Sequence, residues 1–296
     1  MTSGGPGSSV RTSRRVATPE AVRHLLGGYR EYEPPWPVAS FAESVWVYRT
    51  PDSVERATHR VLPDLAFNIA LTCRRDQIGR IEGMSVRLSG PKTRPMMASF
   101  DGRHETVAIK VKLEWVSAVV PIDPMECANT AVDLSEVSPA LAGALADVLE
   151  GSRGVEQVAT GLVARLATWP HARRGKAPPS AAALDLVRRA DGQISIERLA
   201  SLAAVSTRHL RRMVRRDMGM SLKAYARTAR LLKAMRLGDA WGPGSHRTWA
   251  GIAADAGFCD QSHLIRECLA LTGHTPEQLR RERQSEPGAR GRWPLQ

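Results

Sequence analysis

Five side chains that could bind a metal or act as nucleophiles fall within one stretch of twelve residues, GFCDQSHLIREC. They are Cys259, Asp260, His263, Glu267 and Cys268. Thiolates, imidazoles and carboxylates are the usual protein ligands of zinc, and a thiol near a histidine is a common arrangement in nucleophilic catalysis. His263 and Glu267 are four residues apart, so a helix would place them on one face. The stretch therefore raises two hypotheses, a metal site and a reactive cysteine.

The residues around this stretch predict a helix-turn-helix unit. A first apolar helix is indicated by residues at helical spacing: Trp249, Ile252, Ala253 and Ala256. Gly257 supplies the turn, Phe258 can fill the core, and Asp260 is suited to cap a second helix that begins at Gln261. The inward stripe of that second helix is Leu264, Cys268 and Leu271. The outward residues are then Ser262, His263 and Arg266.

This helical arrangement separates the five chemical side chains. Cys259 precedes the cap, and Cys268 lies on the side of the helix opposite His263. His263 and Glu267 remain neighbours, but two ligands do not make a zinc site, and no third histidine or cysteine is spaced to complete one. We therefore expect no metal, no cofactor and no reactive thiol at this stretch.

A second pattern of the same kind lies upstream. Helices over 196–203 and 207–217, capped by Ser195 and Ser206, flank a turn at 203–205. The inward residues of the second helix are Leu210, Met213 and Val214. Its outward basic residues are Arg208, Arg211, Arg212 and Arg215. Arginine pairs bidentately with guanine edges and grips phosphates, so the pattern indicates a DNA-reading helix, with a merely solvated basic helix as the alternative.

The net charge of +12 is concentrated in the C-terminal part of the chain. Residues 171–296 hold 23 of the 42 Lys and Arg residues but only 11 of the 30 Asp and Glu residues, whereas residues 1–170 are neutral overall. Such a basic segment is typical of proteins that bind a polyanion, because neutralising phosphates releases condensed counterions. A solvated basic surface is the alternative, and charge alone does not decide between them.

Length and composition indicate a globular protein with one large domain or two ordinary ones, since the chain has 296 residues and 43% of them are hydrophobic. No run approaches the roughly 18 apolar residues that a membrane span needs, and the N-terminus lacks the apolar stretch of a secretory signal. The four cysteines include no CxxC pair, so reduced thiols are expected. We therefore expect a cytoplasmic protein with no membrane partner.

The fold class predicted by periodicity is α+β. Runs of alternating apolar and polar residues predict half-buried strands in an antiparallel sheet or barrel-like domain over 65–71, 84–88 and 107–113. Residues 135–168 change to helical spacing and predict two helices separated at 151–154. The residues after about 180 predict an all-α domain, in which a longer helix opened by Ser221 joins the two helix-turn-helix units.

Residues 181–283 resemble the DNA-binding region of AraC/XylS transcription regulators. The motifs that carry the resemblance occur in the family's order: VSxRHLxR at 205–212, GMS at 219–221 with Tyr225, RL at 230–231 with Ala234, IA at 252–253, GFxDQSHL at 257–264 and TGHTP at 272–276. In this family two helix-turn-helix units, joined by one long helix, present their second helices to successive segments of the DNA major groove. The resemblance covers about a third of the chain.

The resemblance implies a sequence-specific DNA-binding transcription regulator that is not an enzyme. Its partners would be double-stranded DNA and RNA polymerase. The residues implied to read bases are Arg208, Arg211, Arg212, Ser262, His263 and Arg266. The residues expected to contact phosphates are Thr207, Arg215, Arg216, Lys223 and Gln261.

The second unit departs from the family pattern. Leu264 replaces the usual Phe, and Cys268 and Leu269 replace an aromatic and basic pair. We therefore expect the second unit to have an altered core, less charge and weaker DNA binding. The segment before this unit, 238–245, is also about four residues longer than usual, a difference that costs little entropy in a loop.

The N-terminal part shows a fainter resemblance, over 34–46 and 59–64, to a regulatory domain that precedes this DNA-binding region in some bacterial members of the family. The resemblance implies control by a small-molecule effector or a protein partner. The aromatic residues that could line an effector pocket are Trp46, Phe67 and Trp115, with ordinary core packing as the alternative. His59 and His104 lack an HxH-like partner and are not predicted to bind metal.

Breaker clusters predict the domain boundaries. Pro, Gly and charged residues without apolar periodicity indicate a linker over 170–180. The remaining divisions are a disordered tail over 1–18, a β-rich regulatory domain with C-terminal helices over 19–169, a DNA-binding domain over 181–284 and a flexible tail over 285–296.

Two other functions remain as alternatives. The basic half alone would suffice for an architectural or non-specific DNA-binding protein. The second alternative is a DNA-repair enzyme, because this DNA-binding region also occurs fused to alkyl-transfer domains. Such an enzyme needs a reactive cysteine, and the sequence around Cys73 offers no base that would activate its thiol. The sequence leaves open the operator, the effector, activation or repression, and whether the chain is a monomer or a homodimer. We expect it in the cytoplasm, on the nucleoid when bound to DNA.

Overall fold

The computed structural model describes residues 30–50, 56–76, 78, 80–101, 103–170, 178–240 and 247–285. The predicted N-terminal tail, most of the predicted linker and the predicted C-terminal tail after residue 285 lie outside the described residues. So does most of the lengthened loop before the second helix-turn-helix unit.

The N-terminal part is built on antiparallel strands, as the sequence predicts. Their bounds are β1 Arg30–Tyr32, β2 Ala42–Arg49, β3 Arg56–Val61, β4 Ala66–Arg75, β5 Ile81–Ser89, β6 Met96–Asp101, β7 His104–Lys112 and β8 Ala131–Asp133. Six of them form one sheet in the order β1-β2-β7-β4-β5-β8, and β3 pairs with β6 in a separate ribbon. Every strand pairing is antiparallel.

Helices cover the apolar face of the sheet. The helices of this part are α1 Trp36–Ala39, α2 Val116–Val119, α3 Leu134–Val137, α4 Pro139–Glu150 and α5 Val155–Thr168, with 3₁₀ turns at Leu113–Trp115 and Pro124–Glu126. Helix α4 packs on β4 and β5, and α5 packs on β2 and β7. Ile69 and Ile109 are paired across β4 and β7 and are fully buried, so the hydrophobic core lies between this face and the two helices.

The prediction of half-buried strands is wrong for the two central strands. Asn68 of β4 and Lys110 of β7, paired on the polar face, are as inaccessible as their apolar neighbours. A network of charges shields them, because Lys110 lies 3.8 Å from both Glu31 and Asp64, and Asn68 donates to Asp64 at 3.1 Å. Alternation in a sequence shows that two faces differ in polarity, but it does not show whether the polar face meets solvent.

The C-terminal part is all-α, as predicted. Its helices are α6 Ala181–Arg189, α7 Ile196–Leu202, α8 Thr207–Met218, α9 Leu222–Asp239, α10 Trp249–Asp255, α11 Gln261–Thr272 and α12 Pro276–Ser285. The last helix is not predicted by apolar periodicity, since Pro276 and Leu279 are its only buried apolar residues among those whose burial is described. Its usable signal is a capping pair, in which Thr275 accepts from the Gln278 N–H and Gln278 from the Thr275 N–H.

None of the helices in the described part of the chain combines the length and apolar character that a bilayer crossing requires.

Candidate nucleic-acid interface

The first helix-turn-helix unit consists of α7, a three-residue turn and α8. Ser195 caps α7 by accepting from the Arg198 N–H at 3.1 Å, and Ser206 caps α8 by accepting from the His209 N–H at 3.1 Å. Between the helices, Ala204 takes a left-handed conformation with φ of 51°. These local interactions fix the angle between α7 and α8 and place the N-terminal half of α8 at the surface.

Helix α8 has one apolar face and one basic face. Leu210, Val214 and Met218 are fully buried, and Met213 packs partly against them. The exposed residues of the helix are Arg208, His209, Arg211, Arg212, Arg215 and Arg216. The inward and outward faces predicted for this helix are those in the structure, and Thr207, predicted to contact phosphate, is half-buried in its first turn.

The arginines of α8 differ in whether their side chains contact other side chains of the protein. Arg216 donates to Asp217 at 2.8 Å, and Arg212 lies 3.2 Å from Nδ1 of His209. Across the described ranges, Arg208, Arg211 and Arg215 have no ion pair or hydrogen bond through their side chains. An exposed guanidinium without an intramolecular partner keeps its donors for a ligand, so α8 presents a positively charged surface suited to phosphates and base edges.

The second unit repeats the architecture with α10, a turn and α11. Thr248 caps α10 through the Gly251 N–H, and Asp260 caps α11 through the His263 N–H at 2.6 Å. Gly257 occupies the left-handed turn position with φ of 78°, and Phe258 is buried behind it. The turn, plug and cap predicted from the sequence are therefore in place.

The outward residues of α11 differ in solvent exposure and in their contacts with the rest of the protein. Gln261, Ser262 and Arg266 are exposed. His263 is half-buried and packs edge-on against Phe258, with ring centroids 5.3 Å apart. Its Nδ1 accepts from the Cys259 N–H at 3.3 Å. In a neutral imidazole this leaves the proton on Nε2, so His263 can offer a donor but has little freedom to reorient.

The cysteines and acids of the opening stretch are dispersed, as helical geometry predicts. Cys268 is fully buried, and burial raises the pKa of its thiol to about 12. Glu267 pairs with Arg227 of α9 instead of standing beside His263 as a ligand. Burial also raises the pKa of the Cys73 thiol. Within the ranges that the structure describes, no group of three or more His, Cys, Asp or Glu side chains is placed to hold a metal ion.

Helix α9 connects the two units and is fixed to both. On the side of the first unit, Asp191 accepts from Arg236 at 2.6 Å and lies 3.5 Å from Lys233. On the side of the second unit, Arg227 pairs with Glu267, and Arg230 donates to the Gly257 carbonyl at 3.2 Å. No local sequence pattern predicts these contacts, because their partners are far apart in the chain.

The connecting helix α9 is the longest helix in the described part of the chain. It has 18 residues and is therefore about 27 Å long. Lys223 is exposed in its first turn, near the C-terminal end of α8.

The aromatic residues considered for an effector pocket do not share one face of the sheet. Trp46 lies on the polar face and donates to Asn68 at 3.0 Å. Phe67 is fully buried on the apolar face, and Trp115 lies in the 3₁₀ turn after β7. These three residues therefore do not line a single cavity.

Comparison with protein families gives two matches along the chain. Residues 199–282 match a model described as a helix-turn-helix domain. Residues 30–133 match a model described as a domain of unknown function, DUF6597. No curated protein matches the chain.

Several solved structures are similar to parts of the chain. The C-terminal domain of AraT, a response regulator from Geobacillus stearothermophilus, is 23% identical over 36% of this chain and 85% of its own, with a TM-score of 0.32. An AraC-type transcriptional regulator from Chromobacterium violaceum is 21% identical over 36% of this chain and 93% of its own, with a TM-score of 0.32. ToxT from Vibrio cholerae O395 is 10% identical over 81% of this chain and 97% of its own, with a TM-score of 0.40.

The helix-turn-helix match, the two capped units and the motifs at 205–212 and 257–264 agree with one another. The chain therefore carries, after a domain of unknown function, a double helix-turn-helix domain that is similar to the DNA-binding domain of AraC-family transcription regulators.

Proposed function

We propose that this chain recognises a specific DNA sequence with both helix-turn-helix units and that its N-terminal domain controls this activity in response to a small molecule or a protein partner. The observation that carries the proposal is the basic face of α8, on which three exposed arginines have no side-chain partner among the residues that the structure describes. The proposal divides the chain into a regulatory domain over 19–169 and a DNA-binding domain over 181–284. The protein would act in the cytoplasm on nucleoid DNA and on RNA polymerase.

The proposed roles follow from position on the two second helices. Arg208, Arg211 and Arg212 would read bases from α8, and Ser262, His263 and Arg266 from α11. The residues proposed to contact phosphates are Thr207, Arg215, Arg216, Lys223 and Gln261. Arg216 already donates a hydrogen bond to Asp217. We therefore expect the phosphate contact of Arg216 to be weaker than that of Arg215.

The test is selection of bound sequences from random duplex DNA by the full chain, followed by affinity measurements on the enriched sequence and on random DNA. Arg212→Ala is expected to cost about 1–3 kcal/mol on the enriched sequence and to relax base preference at one position, because a bidentate base contact is lost. Lys223→Ala, the matched control, should weaken binding to both DNAs alike, because a phosphate contact carries no sequence information.

Two results would count against the proposal. Selection without any enriched sequence would favour an architectural or non-specific DNA-binding protein. Equal losses for Arg212→Ala on enriched and random DNA would remove Arg212 from the base-reading residues.

A further inference from the structure

A partly buried arginine joins the N-terminal domain to α6, the helix that precedes the first helix-turn-helix unit. Arg188 lies in the last turn of α6, and its side chain is only 16% exposed. Its Nη2 donates to both carboxylate oxygens of Glu114, at 3.1 and 3.2 Å, and its Nε lies 3.3 Å from Glu43. The fully buried Tyr225 of α9 lies beside the guanidinium.

The backbone of the N-terminal domain aims both carboxylates at this arginine. Glu43 is the extra residue of a β-bulge, since Ala42 pairs with Val111 and Ser44 with Lys110. A bulge turns one side chain out of the regular alternation of a strand. Glu114 lies in the 3₁₀ turn that follows β7, and its side chain is 3% exposed. The two acids therefore come from separate elements and converge on one cation.

The same two parts of the chain also meet at the end of α8. Gly219 ends α8 in a left-handed conformation with φ of 72°. A Cβ atom at this position would lie 2.3 Å from the carbonyl oxygen of Pro124 in the N-terminal domain. Close backbone contact at the end of α8 and a charged contact at α6 thus hold the C-terminal domain against the N-terminal domain at two points.

We propose that Arg188, Glu43 and Glu114 form a latch between the N-terminal domain and α6 of the C-terminal domain, and that its opening releases the two domains from one fixed arrangement. The basic face of α8 stays exposed in this arrangement. The latch therefore controls the relative position of the domains and does not cover the proposed DNA-reading surface. This inference does not depend on which DNA sequence is bound.

The charges at the latch are unequal. One arginine faces two carboxylates, and Asp185 of α6 adds a third at 3.5 Å. Burial raises the pKa of Glu43 to about 7 from an ordinary 4.5, although Arg188 opposes this shift. The other groups that face Glu43 are Asp64, Lys110, Lys112, Glu114 and Tyr225. A cleft of about 420 Å³ beside this cluster, lined in part by Glu43 and Arg188, lets protons reach it.

The direction of the proton effect follows from linkage. The closed latch holds its proton on Glu43 more tightly than an open latch, in which Glu43 would regain a pKa near 4.5. Closure is therefore most favourable below pH 4.5 and weakens as pH rises from 4.5 to about 7, above which the loss is complete. The two acids therefore act differently on the latch. Glu114 holds Arg188 by two hydrogen bonds, whereas ionisation of the buried Glu43 makes closure less favourable than it is with Glu43 protonated.

The experiment measures interdomain distances by pulsed electron paramagnetic resonance in the full chain. Cys259 is the exposed cysteine of the described residues and accepts one spin label, whereas Cys73, Cys127 and Cys268 are buried. An Arg87→Cys substitution at an exposed position of β5 supplies the second label. Arg188→Met and the isosteric Glu114→Gln are expected to broaden the distance distribution and lengthen its mean, because each removes the charge pair that closes the latch.

Arg189→Met is the matched control, since Arg189 is the next residue of α6, is exposed and pairs with Asp185 of the same helix. Its distribution should equal that of the unsubstituted chain. Equal widths for Arg188→Met, Glu114→Gln and the unsubstituted chain would overturn the latch, as would equal broadening by Arg189→Met.

The role of Glu43 has its own readout. The distribution of the unsubstituted chain is expected to broaden between about pH 4.5 and about pH 7, and Glu43→Gln should keep it narrow throughout this range, because the group no longer ionises. Persistence of the pH dependence in Glu43→Gln would show that another group is responsible and would overturn the part assigned to Glu43.

Discussion

The two helix-turn-helix units share a backbone design but differ in surface chemistry. Position by position, Leu210 corresponds to Leu264 and Val214 to Cys268, all fully buried, and both second helices end at a left-handed glycine. The outward positions differ: Arg211, Arg215 and Arg216 in the first unit correspond to Ile265, Leu269 and Ala270 in the second. The two units therefore share the same backbone and core, whereas the positive charge is concentrated on the second helix of the first unit.

The turns of the two units differ as well. In the first, the Val205 N–H donates to the Ala200 carbonyl, and Ser206 follows directly as the cap. In the second, the Phe258 N–H donates to the Ala253 carbonyl, and Cys259 intervenes before the Asp260 cap. This additional residue lets Phe258 enter the core and brings its ring against His263, which explains why that histidine is less free than its counterpart His209.

The largest effect is expected from the shared core. Leu210→Ala and Leu264→Ala should each lower the free energy of unfolding by about 2–5 kcal/mol, because both side chains are fully buried. Urea denaturation followed by far-UV circular dichroism measures this difference. Leu269→Ala serves as the control, since Leu269 is 43% exposed and its truncation should cost less than about 0.5 kcal/mol.

A much smaller cost at Leu264 than at Leu210 would contradict the equality of the two cores. It would mean that leucine, in place of the family's usual aromatic residue, packs loosely in the second unit.

An intermediate effect is expected at the turns, where the first unit has alanine and the second glycine. Ala204 and Gly257 both have positive φ, of 51° and 78°. A left-handed alanine costs about 1–2 kcal/mol, so Gly257→Ala should destabilise the chain by that amount. Ala204→Gly should stabilise it by up to about 1 kcal/mol, because the relief of strain is partly offset by the greater flexibility of glycine when unfolded.

Thermal unfolding of both variants, compared with the unsubstituted chain, gives the sign of each change. Stabilisation by Gly257→Ala, or destabilisation by Ala204→Gly, would contradict the assignment of the two residues to equivalent positions.

The smallest effect is expected from exchanging one charge between the units. Arg215→Leu should weaken binding to all duplex DNAs and lower the slope of log affinity against log salt by about 1, because one phosphate contact is lost. Leu269→Arg places the charge at the corresponding position of α11 and should raise this slope by about 1 if the second helix lies on DNA as the first does. Fluorescence anisotropy over a salt series measures both slopes.

An unchanged slope for Leu269→Arg, together with a lowered slope for Arg215→Leu, would show that the two helices meet DNA differently. The comparison would then hold for the folding of the units but not for their binding.

Local patterns were enough to predict the units but not the contacts between distant parts. The caps at Ser206 and Asp260 and the inward stripe of α8 were predicted, because each depends on residues within one or two helical turns. The polar α12 was missed, because one buried leucine gives no periodic signal. The burial of Lys110 was missed for a different reason, since no sequence pattern shows what covers a polar sheet face.

Contacts between elements account for the rest of what was not predicted. Arg188 and Glu114 are 74 residues apart, and the bulge that aims Glu43 at them depends on strand pairing. His263 was predicted to face outward, yet its position follows from packing against Phe258. Such contacts depend on how elements assemble, which the periodicity of each element does not contain.

Under the proposed function, the contacts that fix α9 to both units would make the two units a single bivalent ligand for DNA. Once the first unit is bound, the second is held at a high effective concentration over the adjacent groove, so even a weakly charged reader adds to the affinity. The benefit depends on geometry, because one inserted base pair rotates the next segment by about 35° and a rigid connector cannot follow. The ion pairs of Asp191 and Glu267 would thus determine which spacing between the two halves of the DNA site the protein can bind.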